Sequence, residues 1–320
     1  MLRVGVVGVG HLGRLHARVY SEIDSCELAG VYDVDGSRAA LVAGEFGTQP
    51  AADLEGLLDR VDAVSLATPT VSHHGVARDC LERGVHVLVE KPIAGTVDEA
   101  RGMVELGREK GLVVQVGHIE RFNPAVRAAL GVLDAPKFIE VHRLGIFVPR
   151  GTDVAVILDL MIHDIDLILS IVNADVTAVE AVGIPVLSSS IDIANARLSF
   201  SDGCVANITA SRVSREKVRK IRFFQHDAYV SVDTLEPRAQ VFRRKSVPEE
   251  TLRRIASGEM NGGLESIVDY EDLPLDKSEP LKLELESFVA AVTGRSEPVV
   301  RGEDGLRALE VAMEILRQIS

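Results

Sequence analysis

The sequence predicts an α/β chain in two parts: a doubly wound parallel sheet, then an α+β part with a largely antiparallel open sheet. Three observations carry this reading. Short apolar runs alternate with amphipathic stretches over residues 1–120. Strand-like runs follow one another without intervening helices over residues 176–245. The length, 320 residues, fits two domains of about 100–200 residues each. The expected division is 1–120 and 121–320. No flexible linker marks the junction.

In the first part the predicted strands are Leu2–Val7, Leu28–Tyr32, Ala63–Ala67, Val85–Val89 and Leu112–Val116. They are apolar at successive positions, as strands buried on both faces of a parallel sheet read. The clearest helix is Asp98–Lys110. Thr96 and Glu99 have capping-box spacing before it, and Gly111 closes it. In the second part a short helix is expected at Pro124, a strand at Lys137–Leu144 and a long helix at Val154–Val172. Breaks at Gly183–Pro185, Ser201–Gly203 and Asp227–Ala228 divide the strand-rich region. Two amphipathic helices end the chain. One shows Leu281, Leu285, Phe288 and Val292 on its apolar face, the other Leu309, Met313 and Leu316.

Composition removes several classes of function. The balance of 35 basic against 48 acidic residues gives a net charge of −13. That argues against nucleic acid as a partner, because phosphate neutralisation needs a basic footprint. Cys26, Cys80 and Cys204 are widely spaced, so a disulfide framework or structural zinc site is not expected, and no metal is called for. The apolar run Val154–Val172 contains three Asp and a His, so it is not a membrane span. The start of the chain lacks a signal peptide's long apolar region. A cytoplasmic setting is the expectation.

Gly8-Val9-Gly10-His11-Leu12-Gly13 fits GxGxxG. The pattern follows a predicted strand and opens a helix, the context in which it binds a dinucleotide. Gly8 permits the tight turn, Gly10 lets backbone approach a pyrophosphate, and Gly13 allows close helix–strand packing. Asp33, 20 residues beyond Gly13, ends the second strand. A carboxylate there accepts from the adenosine ribose hydroxyls and repels a 2′-phosphate, which favours NAD over NADP. Arg38 is the nearest cation. Together these features make the first part a Rossmann domain.

Two further elements could carry chemistry. Glu90-Lys91-Pro92 sits at a strand's carboxyl end, where ligands bind in doubly wound sheets. The Lys91–Pro92 bond is expected to be cis. In the helix Val154–Val172, apolar residues point in nearly every direction, so the helix is expected to be buried. Asp159 and His163 interrupt it at i and i+4, and Asp166 continues the stripe. Such a stripe faces either counter-ions or a cavity. A carboxylate beside an imidazole is also what a proton-abstracting site uses.

Taken together, these stretches resemble the glucose–fructose oxidoreductase / inositol dehydrogenase / MocA (Gfo/Idh/MocA) family. They are Gly8–Gly13 followed by His16, Ala67-Thr68-Pro69 with His73, Glu90-Lys91-Pro92, and Asp159-x-x-x-His163-Asp164. The resemblance covers the whole chain. It implies NAD as cofactor and Lys91, Asp159 and His163 as the catalytic set. It also implies cofactor contacts at Gly8, Gly10, His11, Leu12, Gly13, Asp33, Thr68, Pro69, His73, Glu90 and Lys91. The second domain would bind substrate and form a homodimer or homotetramer through its open sheet. The three catalytic groups are expected to converge beside the nicotinamide. Whether His163 or Lys91 is the base is left open by the sequence.

A narrower resemblance is to UDP-N-acetylglucosamine 3-dehydrogenases. It rests on Gly117–Pro124, Pro149–Asp153 and Ser211–Lys217. It implies oxidation of a sugar-nucleotide C3 hydroxyl to a ketone, with an aminotransferase as functional partner. Substrate contacts would come from Lys91, Arg121, Asn123, Arg150, Asp159, His163 and Arg212. Independently, residues 212–222 hold six basic residues and one acidic, a patch suited to an anionic ligand. Alternatives are a dehydrogenase of another sugar or cyclitol, and a non-catalytic NAD-binding regulator on the same fold.

Overall fold

A computed structural model describes residues 1–148, 154–257 and 267–319. The chain divides into two compact units. The first comprises Met1–Phe122, Ile165–Leu167 and Ser278–Glu314, and the second the remainder.

The first unit contains β1 (Leu2–Val7), α1 (His11–Ser21), β2 (Cys26–Tyr32), α2 (Gly36–Phe46), α3 (Leu54–Leu58) and β3 (Ala63–Leu66). It continues through α4 (Thr70–Glu82), β4 (His86–Glu90), α5 (Val97–Lys110) and β5 (Val114–Gly117). The five strands form one parallel sheet in the order β2-β1-β3-β4-β5. The order reverses between β1 and β3, so the crevice beyond their carboxyl ends is the topological switch point. Residues 4–7 of β1 and all of β3 are buried, as the uninterrupted apolar runs require. The α5 capping box is complete, and Gly111 closes that helix at φ 66°, a left-handed conformation suited to glycine.

The second unit contains α6 (Pro124–Leu130), β6 (Phe138–Leu144), a π-helical turn at Ile157–Met161 and, apart from Ile165–Leu167, α7 (Ile162–Ile171). Then come β7 (Val176–Ile184), β8 (Ile193–Phe200), β9 (Val205–Ser211), β10 (Val218–Gln225), β11 (Ala228–Asp233) and β12 (Arg238–Arg244). They are followed by α8 (Glu249–Ala256) and β13 (Val268–Asp272). Eight strands make one sheet, ordered β13-β12-β11-β10-β6-β9-β8-β7. Every pairing is antiparallel except β6 with β9. In β6, alternate residues are buried and half-buried, so one face forms core and the other does not. On the less buried face Phe138, Phe224, Tyr229, Phe242 and Tyr270 form a ladder, with neighbouring ring centroids 5.0–5.5 Å apart.

The last two helices, α9 (Pro280–Val292) and α10 (Gly302–Ile319), depart from the expected division. Residues up to Glu314 belong with the first unit rather than the second. The cause is the α9 apolar face. Leu281, Leu285, Phe288 and Val289 join Val4, Val19, Tyr20 and Val31 in one buried cluster. Amphipathic periodicity shows that a helix has a face to bury, but not which sheet will receive it. The expected uniform helix over Val154–Val172 also differs, because its first turn is π-helical.

Candidate active site

The glycine turn is built as a dinucleotide cradle requires. Gly8 has φ 82°, and a side chain there would meet the Ala67 carbonyl at 2.9 Å. A Cβ on Gly13 would lie 1.8 Å from the Gly8 carbonyl, so α1 could not approach β1 with any larger residue. Gly10 faces open space, with nothing within 4 Å of where a Cβ would stand. The α1 N-terminus has no side-chain cap and no acidic residue in its first turn. Its N–H groups and positive end are thus available to phosphate. His11 and Leu12 lie exposed on that turn.

Asp33 follows β2 and is buried. One carboxylate oxygen accepts from the Val9 N–H at 2.8 Å and the other from the Asp35 N–H at 2.9 Å. Arg38 Nη1 lies 3.3 Å from both oxygens. Asp33 therefore also braces the glycine turn, a role the sequence did not reveal.

His73 lies between the exits of β3 and β4. Its Nε2 is 2.9 Å from the Thr68 carbonyl and its Nδ1 3.0 Å from the Pro92 carbonyl. Burial lowers its pKa, so the neutral ring has a single N–H to donate. Pro69 caps α4, and the buried Thr68 Oγ1 has no hydrogen-bond partner among the described residues. The Lys91–Pro92 peptide is cis, as expected. Lys91 is half-buried, directly after Glu90 at the end of β4. These residues fit NAD. The buried Thr68 hydroxyl lacks a partner among the described residues, and the Gly10 backbone is open enough for a pyrophosphate to approach.

The polar stripe of the long helix separates into two kinds of residue. Asp164 and Asp166 are fully buried and paired with arginines. Asp164 accepts from Arg143 at 2.7 and 2.8 Å, within the second unit. Asp166 accepts from Arg121 at 2.6 and 2.8 Å, within the first. Asp159 and His163 are only half-buried, so the helix is not buried all round. The neighbouring Leu158 and Leu160 are half-buried too.

Other expected substrate contacts have structural engagements. Besides Asp166, Arg121 donates to the Val299 carbonyl at 3.3 Å. Asn123 caps α6 through the Ala125 N–H at 3.0 Å and donates to the Thr234 carbonyl at 3.2 Å. Arg212 is buried, donates to the Val154 carbonyl and lies 3.8 Å from buried Asp192. Arg150, with the Pro149–Asp153 stretch, lies outside the described residues. In the basic stretch, Arg215, Lys217, Arg219 and Lys220 are exposed, while Arg222 pairs with Glu140 at 2.8 Å.

One group escaped the sequence reading. Buried His16 has Nε2 2.9 Å from Glu90 Oε1, and buried Glu284 of α9 stands with them. The signal was present: Glu284 lies on the same helix face as Leu281, Leu285 and Phe288.

Comparison with known proteins settles the family. Residues 2–118 match the oxidoreductase family model with the NAD-binding Rossmann fold, and residues 140–230 match the GFO/IDH/MocA C-terminal domain. The chain belongs to the GFO/IDH/MocA family of oxidoreductases. Within that family it is 38% identical to UDP-N-acetylglucosamine 3-dehydrogenase of Acidithiobacillus ferrooxidans, over 98% of this chain and 96% of the relative. A solved structure of an enzyme so named from the same organism superposes with a TM-score of 0.89, at 37% identity, over 99% of this chain and 97% of that one. The scyllo-inositol 2-dehydrogenase (NAD(+)) of Bacillus subtilis is 27% identical over 98% of this chain and 92% of its own. At 19% identity the fold alone is shared with Lactobacillus casei scyllo-inositol dehydrogenase, solved with NAD(H) and scyllo-inositol (TM-score 0.79, 100% and 97% covered). No described helix is long and apolar enough to cross a membrane.

Proposed function

We propose that this GFO/IDH/MocA oxidoreductase oxidises the C3 hydroxyl of UDP-N-acetylglucosamine to the 3-keto sugar nucleotide, with NAD as acceptor. The observation that carries the reading is 38% identity, spanning both chains almost end to end, with an enzyme named for that substrate. Inositol dehydrogenases of the family match less closely at full length.

In this reading the first unit holds the cofactor, and the second binds substrate and forms the oligomer. Bound NAD supplies a nicotinamide that takes the hydride from the sugar carbon. His163 accepts the hydroxyl proton as the C–O bond becomes a carbonyl. Lys91 and Asp159 hold the hydroxyl, with Lys91 the alternative base. The exposed cations of residues 215–220 are candidates to meet the diphosphate. Arg121, Asn123 and Arg212 shape the protein around the site through the contacts described above. The aromatic ladder on the half-buried sheet face is the surface we assign to a homodimer or homotetramer. An aminotransferase that converts the ketone to an amine is the natural consumer of the product. Cys26, Cys80 and Cys204 are buried free thiols, which accords with a cytoplasmic setting.

The test is incubation with NAD and a panel of sugar nucleotides and cyclitols, followed by mass spectrometry. Loss of two hydrogens from UDP-N-acetylglucosamine, with NADH formed in equal amount, is expected. Oxidation of a cyclitol with the sugar nucleotide untouched would overturn the substrate. His163→Ala should lower kcat by about 10²–10⁴-fold while leaving NAD affinity nearly unchanged. A variant with wild-type kcat removes His163 from the catalytic set.

A further inference from the structure

The strand exit that presents Lys91 is underlain by a buried acidic cluster within the first unit. Glu284 is 1% exposed, and neither of its carboxyl oxygens has a hydrogen-bond partner among the described residues. One atom each from Glu284, Glu90 and His16 lie within 4.8 Å of one another. His16 already engages Glu90 Oε1 at 2.9 Å, and its Nδ1 makes no hydrogen bond among the described residues. The Glu90 carboxylate rests over the Gly117 backbone of β5, where a Cβ would stand 3.1 Å from Glu90 Oε2.

The charged and titratable groups around the cluster come from several elements. Lys91 follows β4 and its charge acts on Glu90, while buried His118 follows β5 and feels the charges of both Glu90 and Lys91. Asp166 of α7 contributes negative charge, held by Arg121. Tyr20 of α1 is buried nearby, its hydroxyl 2.8 Å from Ser65 Oγ. Burial, and then the charges of Glu90 and Asp166, push Glu284 well above the usual carboxylate range. For Glu90 burial acts upward as well, but the hydrogen bond from His16 and the charges of His16 and Lys91 outweigh it and hold it low. Two neighbouring buried carboxyls with opposite surroundings are the arrangement in which one can keep its proton while the other stays ionised.

We infer that Glu284 carries a proton in the resting protein and donates it in a hydrogen bond that reaches Glu90 through one bridging water, so that Glu284 is a positioning residue for the Lys91 exit. His16 and Glu284 then hold the carboxylate of Glu90 from two sides, and the chain leaves β4 in one orientation. The consequence for catalysis rests on the assignment of Lys91 above. The protonation itself does not.

The experiment uses the full chain with NAD bound. Infrared spectra at pH 7.5 should show a protonated-carboxyl band that disappears in Glu284→Gln. The pH dependence of stability gives a second readout with a defined sign. Below the ordinary glutamate value both folded and unfolded forms carry the proton, so the variant and the wild type run parallel. As pH rises through that value, the unfolded wild type loses its proton while the folded form keeps it. The wild-type unfolding constant should therefore grow relative to Glu284→Gln by roughly ten-fold per pH unit, up to the raised folded value. In the enzyme assay Glu284→Leu should lose roughly ten-fold or more in kcat, the scale of a hydrogen bond to a charged group, and Glu284→Gln should recover most of it.

A stability difference independent of pH would overturn the inference, as would absence of the carboxyl band. So would a stoichiometric divalent metal in the purified protein that is lost in Glu284→Gln. Failure of Glu284→Gln to fold would count equally against it, because an amide closely mimics a neutral acid. If the infrared and stability readouts hold but no sugar nucleotide is oxidised, the substrate reading falls and the proton stays where it is assigned.

Discussion

Asp166→Asn separates a structural ion pair from a substrate-binding one. Arg121 and Asp166 meet in two parallel hydrogen bonds of 2.6 and 2.8 Å, with their side chains 12% and 1% exposed. Burial opposes the Arg121 charge, but the hydrogen bonds and charge of Asp166 outweigh it and raise the guanidinium further. Asparagine keeps the shape but offers one acceptor and turns an NH₂ toward the guanidinium donors. The arginine is then left with the Val299 carbonyl at 3.3 Å and Asp304 at 3.9 Å. Breaking a buried pair from one side costs about 3–5 kcal/mol. At roughly 2–4 °C per kcal/mol for a domain of this size, the melting temperature should fall by about 10 °C. Removing both charges with Arg121→Met and Asp166→Leu together should restore more than about half of the loss, since no charge is then stranded. The assay is calorimetry of all variants alongside steady-state kinetics. A several-fold rise in KM for the sugar nucleotide in Asp166→Asn, at unchanged melting temperature, would refute the reasoning and return Arg121 to the substrate site.

Two further predictions concern the cofactor turn. Asp33→Ala should narrow the preference for NAD over NADP, because it removes the repelling carboxylate and releases Arg38 toward a 2′-phosphate. It should also weaken both cofactors, since the Val9 N–H loses its acceptor. Equal affinity of the unmodified protein for NAD and NADP, measured by fluorescence titration, contradicts the role assigned to Asp33. Gly13→Ala should abolish NAD binding or folding, because its Cβ would stand 1.8 Å from the Gly8 carbonyl. Gly10→Ala should fold normally, with open space around it, and lose affinity only where the pyrophosphate would lie. A Gly13→Ala protein with wild-type affinity would dispose of that account of the turn.

The first unit was legible in the sequence because each of its signals is local. A strand buried on both faces reads as a short apolar run, and β1 begins and ends where that run does. The capping box of α5 needs only Thr96 and Glu99 three residues apart, and both of its hydrogen bonds form. The glycine pattern encodes a turn whose steric demands are met within a few residues. What stayed hidden depends on long-range pairing. Nothing near Ser278 says that α9 will return to the first sheet. Nothing near Asp33 says that its carboxylate will take the Val9 N–H.

The long helix shows where pattern reading reaches its limit. Its sequence offers four ionisable residues among apolar ones, and spacing assigned Asp159, His163 and Asp166 to one stripe. Spacing assumes a uniform helix, but the turn Ile157–Met161 is π-helical, a departure that recurs at functional sites. Charge in an apolar helix must find a counter-ion, water or a ligand. Asp164 and Asp166 find arginines distant in sequence, Arg143 and Arg121, and each of those pairs is buried. A carboxylate with both oxygens engaged by a guanidinium is a poor partner for a proton in transit. Asp159 and His163 are the half-buried members, and a catalytic acid or base needs that access. The same helix therefore holds the fold with two of its polar residues and leaves the other two half-buried, as the role proposed for them requires. Only the identity of the distant arginines, which the sequence does not place, decides which two are which.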